Sequence, residues 1–346
     1  GRPKANPAVR RTEGSPVSPA APPAGPVGLT RPGAPRLAIA IGDPNGIGPE
    51  IAVRAALALH RQRGLRSLLV GESFIFEQVA ALLQLDEADR IAFDTMHVGA
   101  LAPADWQAGR VSAAAGAATV AYVRECIRLE KAGEVSAVAA APHSETAVNA
   151  AGIAFSGYGG LVADLTGTPR DQVFLLLEAQ GLRVVHVTLH EGVRAAVARI
   201  TPALVTAAAH AACELLVRAG IAQPRLCVLG INPHAGEGGL FGDEDERITR
   251  PAVQMMRDKG WAVDGPVGAD LALSERSHDA YVAMLHDQGH IAVKMLSPKG
   301  ATARVAGVPL LFASVGHGAA FNIAGQGRAD ATALIDTVHL LAGAPI

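Results

Sequence analysis

The stretch LAIAIGDPNGIGPE, residues 37–50, decides the fold. Five apolar residues, Leu37 to Ile41, read as a short strand buried on both faces. Gly42, Gly46 and Gly48 then allow a tight turn, and Pro49 falls in the first turn of a helix, where its missing N–H costs nothing. A strand feeding a helix through glycines is half of a β-α-β unit. The same alternation continues through LLVG, the Ala-rich run at 113–131, SAVAAAP, VFLLLEA, LRVVHVTL, a helix after Thr201, RLCVLGINP, a helix near 249–259, AYVAMLH and VPLLFASVG. This is the pattern of an α/β protein, a parallel sheet covered by helices. At 346 residues, two lobes of one α/β architecture are expected rather than one very wide sheet.

Composition narrows the function. With 30 basic and 32 acidic side chains and no long run of either sign, the chain offers no electrostatic footprint for nucleic acid or anionic lipid. A small molecule is the expected partner. Cys126, Cys213 and Cys227 are three, widely spaced and set in apolar surroundings, which suits neither a disulfide framework nor a CxxC zinc site and points to a reducing, cytoplasmic setting. No membrane span or export signal is read from the sequence. Residues 1–35 are rich in Pro, Ala, Gly and Arg without apolar periodicity, and are expected to form a disordered extension.

Three of the twelve histidines stand at strand ends, where an open α/β sheet places its ligand site: His190, His234 and His286. Neutral imidazoles there suit Zn²⁺, Co²⁺, Ni²⁺ or Mn²⁺ with open positions for substrate oxygens, or else they are satisfied core and cleft histidines. Asp270, Asp287, Lys294 and Arg194 lie in the same segments. The carboxylates could orient metal ligands and the cations could bind an anion, although any one alone reads as a solvated loop-end charge. His143, His186 and His290 are taken as structural or peripheral. GDPNGIGPE permits close backbone approach to a ligand but is not the G-x-G-x-x-G of a Rossmann turn. GHGAAFNIAGQGRAD, residues 316–330, carries His317, Gly318, Asn322 and Gly325 among small residues that would let a nucleotide lie against the backbone.

Four ordered motifs, GDPNGIGPE, GINPHAGEGGLFG, MLHDQGH followed by Lys294, and SVGHGAAFNIAGQGRAD, closely resemble the 4-hydroxythreonine-4-phosphate dehydrogenase family from Leu37 to the C-terminus. The resemblance implies the two-domain, non-Rossmann α/β/α architecture of isocitrate and isopropylmalate dehydrogenases, with the active site in an interdomain cleft. In that division, 36–140 and 300–346 form the cofactor side, and 141–299 the metal, substrate and dimerisation side. It makes His190, His234 and His286 the ligands of one divalent cation, zinc foremost. Asp270 would stand beside the metal, and NAD or NADP would lie along His317, Gly318, Asn322 and Gly325. It also implies a homodimer whose sites draw ligands from both subunits. Asn322 stands where related loops usually carry an acidic residue.

The departures point to the substrate. The family's phosphate-binding Gly-His-Thr-Glu stretch appears here as Gly157, Tyr158, Gly159 and Gly160, while Phe312 and Ala303 occupy substrate-binding Arg and Asn positions and Glu145 replaces a Lys. Losing cationic and polar partners for a phosphate while gaining an aromatic surface favours a less polar anion. The stretches ETAVNAAGIAFSGYGGL, VHVTLHEGVR and YVAMLHDQGHIAVKML are similar to the terephthalate cis-dihydrodiol dehydrogenase branch. That likeness implies oxidation and decarboxylation of a ring dihydrodiol, with Tyr158, Gly159 and Phe312 as its walls, Arg194 on a carboxylate, and Asp270 and Lys294 in proton transfer or carboxylate positioning. A dehydrogenase of a phosphorylated hydroxy acid and a metal- and nucleotide-binding sensor are the rival readings.

Overall fold

A computed structural model describes residues 36–298 and 300–343; the extension expected over residues 1–35 lies outside them. The strands are β1 (Arg36–Ala40), β2 (Ser67–Gly71), β3 (Phe93–His97), β4 (Val135–Ala140), β5 (Phe174–Ala179), β6 (Leu182–His186), β7 (Leu226–Leu229), β8 (Val263–Val267), β9 (Ala280–Ala283), β10 (Thr302–Ala306) and β11 (Phe312–Val315). The opening run forms β1 as the sequence predicts, and the helix Gly48–Arg63 follows with Pro49 in its first turn. The absence of a wide sheet does not hold: all eleven strands join in the order β3-β2-β1-β4-β11-β10-β5-β6-β9-β7-β8.

The joint is a seam. β10 runs antiparallel to both β11 and β5, and β5 runs antiparallel to β6. On either side lie parallel blocks, β3-β2-β1-β4-β11 and β6-β9-β7-β8. Three reversals separate them, so the blocks run in opposite directions and their carboxyl ends lie at opposite edges of the sheet. Packing does divide the molecule. One hydrophobic cluster, including Ile39, Leu69, Tyr122 and Phe312, serves the first block. The second block has one cluster on each face: Val185, Val228 and Val282 beneath the helix Pro202–Arg218, and Leu177, Val184 and Tyr281 beneath the helix His286–Leu296. Among the described residues no single helix is long and apolar enough to cross a membrane.

One carboxylate ties the seam together. Glu178 on β5 is 1% exposed and accepts from Arg304 Nη1 of β10 at 3.0 Å and from Arg183 Nε of β6 at 2.6 Å. Arg304 is itself buried, and burial pushes its guanidinium below the usual range even with Glu178 beside it. Removing one partner of a buried pair strands the other charge. Glu178→Ala is therefore expected to lower stability by about 3–5 kcal/mol, read from the urea unfolding midpoint; an unchanged midpoint would show that the seam does not depend on this carboxylate.

Candidate active site

His190, His234 and His286 follow β6, β7 and β9, three neighbouring parallel strands, at their common carboxyl edge. Gln288 sets the position of His286. Its side-chain oxygen accepts from the Met284 and Leu285 amides at 2.9 and 3.1 Å, and its amide donates to the Gly230 carbonyl at 2.8 Å, clasping the end of β9 to the end of β7. His286 opens the helix His286–Leu296, with its Nδ1 2.7 Å from Asp287 Oδ1. Its ring lies 5.5 Å from that of His190 and stacks on His290 at 3.7 Å. His290 reaches the buried His186. Desolvation pushes the His186 imidazole down to about 3 and that of His290 to about 4.

His234 is elsewhere. Asp245, fully buried, accepts from the Ile231 and Asn232 amides at 2.8 and 2.9 Å and from Thr249 Oγ1 at 2.7 Å, which fixes the chain's exit from β7. Residues 234–238 then take positive φ, and His234, Ala235 and Glu237 do so without the freedom of glycine, a strain of about 1–2 kcal/mol per residue. The turn leaves His234 exposed beside Phe241 and near Asp270, across Gly268. Among the described residues no three His, Cys, Asp or Glu side chains stand close enough to share a metal ion. One chain thus holds the expected ligands as two clusters, His190 with His286 and His234 with Asp270.

A cavity of about 520 Å³ lies over one face of the seam. Leu175, Leu177, Ala303, Val305 and Ser314 form its floor, and Tyr158, Gly159 and Gly160 a wall. The other titratable residues of its lining are His143, His190, His290, Lys294, Arg170 and Arg199 with the carboxylates Glu145 and Glu191. Tyr158 is buried, donates its hydroxyl to the Ala141 carbonyl at 2.8 Å, and sits edge-on to His143 at 4.4 Å and Phe312 at 5.6 Å. Two expectations are corrected. Phe312 is 0% exposed and supports Tyr158 from behind instead of lining the cavity. Arg194 points to solvent on the short helix Val193–Arg199, and Arg199 lines the cavity in its place, held by Glu191. Arg170 is likewise held by Asp164, at 2.9 and 2.5 Å. Asp270 is exposed and outside the cavity of its own chain. Lys294 has no carboxylate partner among the described residues. Sequence reasoning missed His290, although His286, His290 and Lys294 at intervals of four fall on one helix face.

The two glycine-rich stretches meet. Ile47 N donates to the Ala319 carbonyl at 2.9 Å, Arg54 Nη2 to the Gly327 carbonyl at 2.8 Å, and Ala329 N to Glu50 Oε1 at 3.0 Å. Gly46 is required at this junction, since a Cβ there would fall 2.7 Å from Ala319. Together they bound a second cavity of about 350 Å³, with Trp106, Leu82, Pro49 and Gly325 in its wall. Gly325 lines this cavity. His317, Gly318 and Asn322 lie on the same loop but not in that wall, and His317 Nδ1 donates to the Gly318 carbonyl at 3.1 Å.

The sheet topology and the cavity over its seam define an α/β protein with a cleft of ligand size. The chain belongs to the PdxA family: the pattern described as pyridoxal phosphate biosynthetic protein PdxA matches residues 63–341. It is 50% identical over 313 residues to a 1,2-dihydroxy-3,5-cyclohexadiene-1,4-dicarboxylate dehydrogenase of Comamonas sp, covering 90% of this chain and 98% of that one. A crystal structure of a terephthalate 1,2-cis-dihydrodiol dehydrogenase from Burkholderia xenovorans LB400 aligns with TM-score 0.69 and 46% identity over 90% of this chain and 98% of that one. A 4-hydroxythreonine-4-phosphate dehydrogenase from Burkholderia phymatum aligns with TM-score 0.78 and 34% identity over the same shares. The chain is a dehydrogenase of this family.

His143 gives this wall a pH dependence. Desolvation lowers its imidazole from 6.5 to about 4, so the unfolded chain takes up the proton first as pH falls. Its contribution is complete above 6.5 and is lost progressively toward 4. His143→Phe is expected to flatten the fall of the thermal midpoint across that window; an unaltered pH profile would remove His143 as its source.

Proposed function

We propose that this chain catalyses the NAD(P)-dependent, divalent-metal-dependent oxidative decarboxylation of an aromatic-carboxylate cis-dihydrodiol, terephthalate 1,2-cis-dihydrodiol to protocatechuate and carbon dioxide, in the cytoplasm. The observation that carries the reading is the cavity lining. The wall at 157–160 offers an aromatic face and glycines, and both guanidiniums beside it are already neutralised by Asp164 and Glu191. A phosphate dianion needs several unspent donors. A ring carboxylate needs an apolar slot and one cation, which Lys294 supplies. The similarity to a dehydrogenase named for a cyclohexadiene dicarboxylate agrees with this.

His190 and His286 fit as two nitrogen donors for a divalent cation, zinc foremost, and His234 with Asp270 from a second copy would complete the set. Exposed apolar side chains border both clusters: Ile291 and Met295 on the helix of His286, Leu240 and Phe241 beside His234, and Leu271 beside Asp270. A two-fold dimer that buries them would bring each cluster to its complement. When bound, the cation supplies Lewis acidity at the diol and the nicotinamide the two-electron oxidant. The protein's own residues do the rest: Lys294 orients the carboxylate that is lost, the partner subunit's Asp270 transfers the proton, and Tyr158 excludes water. The small-residue loop at 316–327 and the 350 Å³ cavity beside it would take the adenosine half of the cofactor. In this reading the fold is of the isocitrate and isopropylmalate dehydrogenase type, with residues 36–140 and 300–346 forming the cofactor side and 141–299 the metal and dimer side.

The shared site has a distinctive consequence. His286→Ala and His234→Ala proteins are each expected to lose metal and activity. Mixed and allowed to exchange subunits, they should regain up to about a quarter of the wild-type sites, because half of the heterodimer's sites are intact. Mixing without recovery would place all three ligands within one chain or outside the site. Substrate choice is tested separately, by following NAD(P)H absorbance with terephthalate dihydrodiol and with 4-hydroxythreonine phosphate. A preference for the dihydrodiol of at least about 10²-fold is expected, the scale on which an apolar pocket rejects an added polar group; robust turnover of the phosphate ester alone would reverse the assignment.

A further inference from the structure

Two histidines that this reaction scheme leaves unused meet at the cavity. His186, at the end of β6, is 1% exposed. Its Nδ1 lies 3.2 Å from the Leu175 carbonyl oxygen, and its Nε2 lies 3.1 Å from His290 Nδ1. The meeting depends on Gly289, because a Cβ there would fall 2.2 Å from His186 Nε2. A carbonyl oxygen only accepts, so His186 Nδ1 carries the hydrogen. Burial keeps that ring neutral, so its Nε2 is bare and accepts from His290 Nδ1. His290 then has one hydrogen, already committed. Of the pair, only His290 lines the cavity.

We propose that His290 is a substrate-binding residue whose bare Nε2 accepts a hydrogen bond from a substrate hydroxyl, and that His186, anchored on the Leu175 carbonyl, is the positioning residue that fixes this tautomer. A bare ring nitrogen at the cavity accepts from a hydroxyl and has no hydrogen to offer the oxygens of an anion. The identity of the hydroxyl rests on the dihydrodiol reading; the tautomers do not.

The test is nuclear magnetic resonance of the full chain with isotope-labelled histidine ring nitrogens at neutral pH, assigned with the single variants. Free imidazole side chains favour hydrogen on Nε2, so finding both His186 and His290 protonated at Nδ1 is a distinctive result. Protocatechuate is expected to shift the His290 Nε2 resonance upfield, and inorganic phosphate is not. In turnover of the dihydrodiol, His186→Leu should lower kcat/KM by roughly tenfold, the worth of one oriented hydrogen bond. His186→Gln can donate to Leu175 and accept from His290, and should restore most of that loss. Hydrogen on His290 Nε2, no response to saturating protocatechuate, or equal impairment of the Leu and Gln variants would each overturn the proposal. Both tautomers and the protocatechuate shift in an enzyme inactive on the dihydrodiol would remove the proposed reaction and leave this assignment standing.

Discussion

Strand β10 runs against both of its neighbours, and the cavity exists because of that reversal. Two parallel blocks with separate hydrophobic cores would otherwise share no backbone hydrogen bonds. β10 and β5 supply them, and Glu178 neutralises the cation that the shared interior encloses. With the blocks opposed, the helices Tyr158–Thr166 and His286–Leu296 approach the same face of the seam from either side without packing on each other's strands. The gap between them is the cavity.

The parts of this design that obey local rules were legible. The run at 37–41 and the turn at 42–50 follow from burial and glycine geometry, and the positions of His190, His234 and His286 follow from the rule that parallel strands lead into their ligand loops. The seam was not legible. Its strand β10, TARVA, carries a buried arginine in the middle of a short run, so an apolar-pattern reading passes over it. Without β10 the two blocks look like two lobes.

Side-chain direction was the other gap. Phe312 belongs to a strand of the expected kind, but its ring faces the core, and only the partner across the sheet determines which face that is. Arg194 and Arg199 sit on the same seven-residue helix, and the carboxylate of Glu191 selects which of them turns inward. His186 and His290 each look peripheral when read alone, because the contact that gives them meaning joins a strand to a helix 104 residues away. The spacing of four between His286, His290 and Lys294 was present in the sequence and pointed to one shared face.

The opposed blocks also fix a length. The cavity reaches from Gly316, just past β11, to His190, just past β6, and these ends are held apart by the strands that run between them. At about 3.3 Å per residue, the five residues of β10 set a span of roughly 17 Å. Anything that engages both ends must be extended along the strand direction. Reach in this molecule is therefore written in the backbone as a count of strand residues, and no exchange of side chains at the walls alters it.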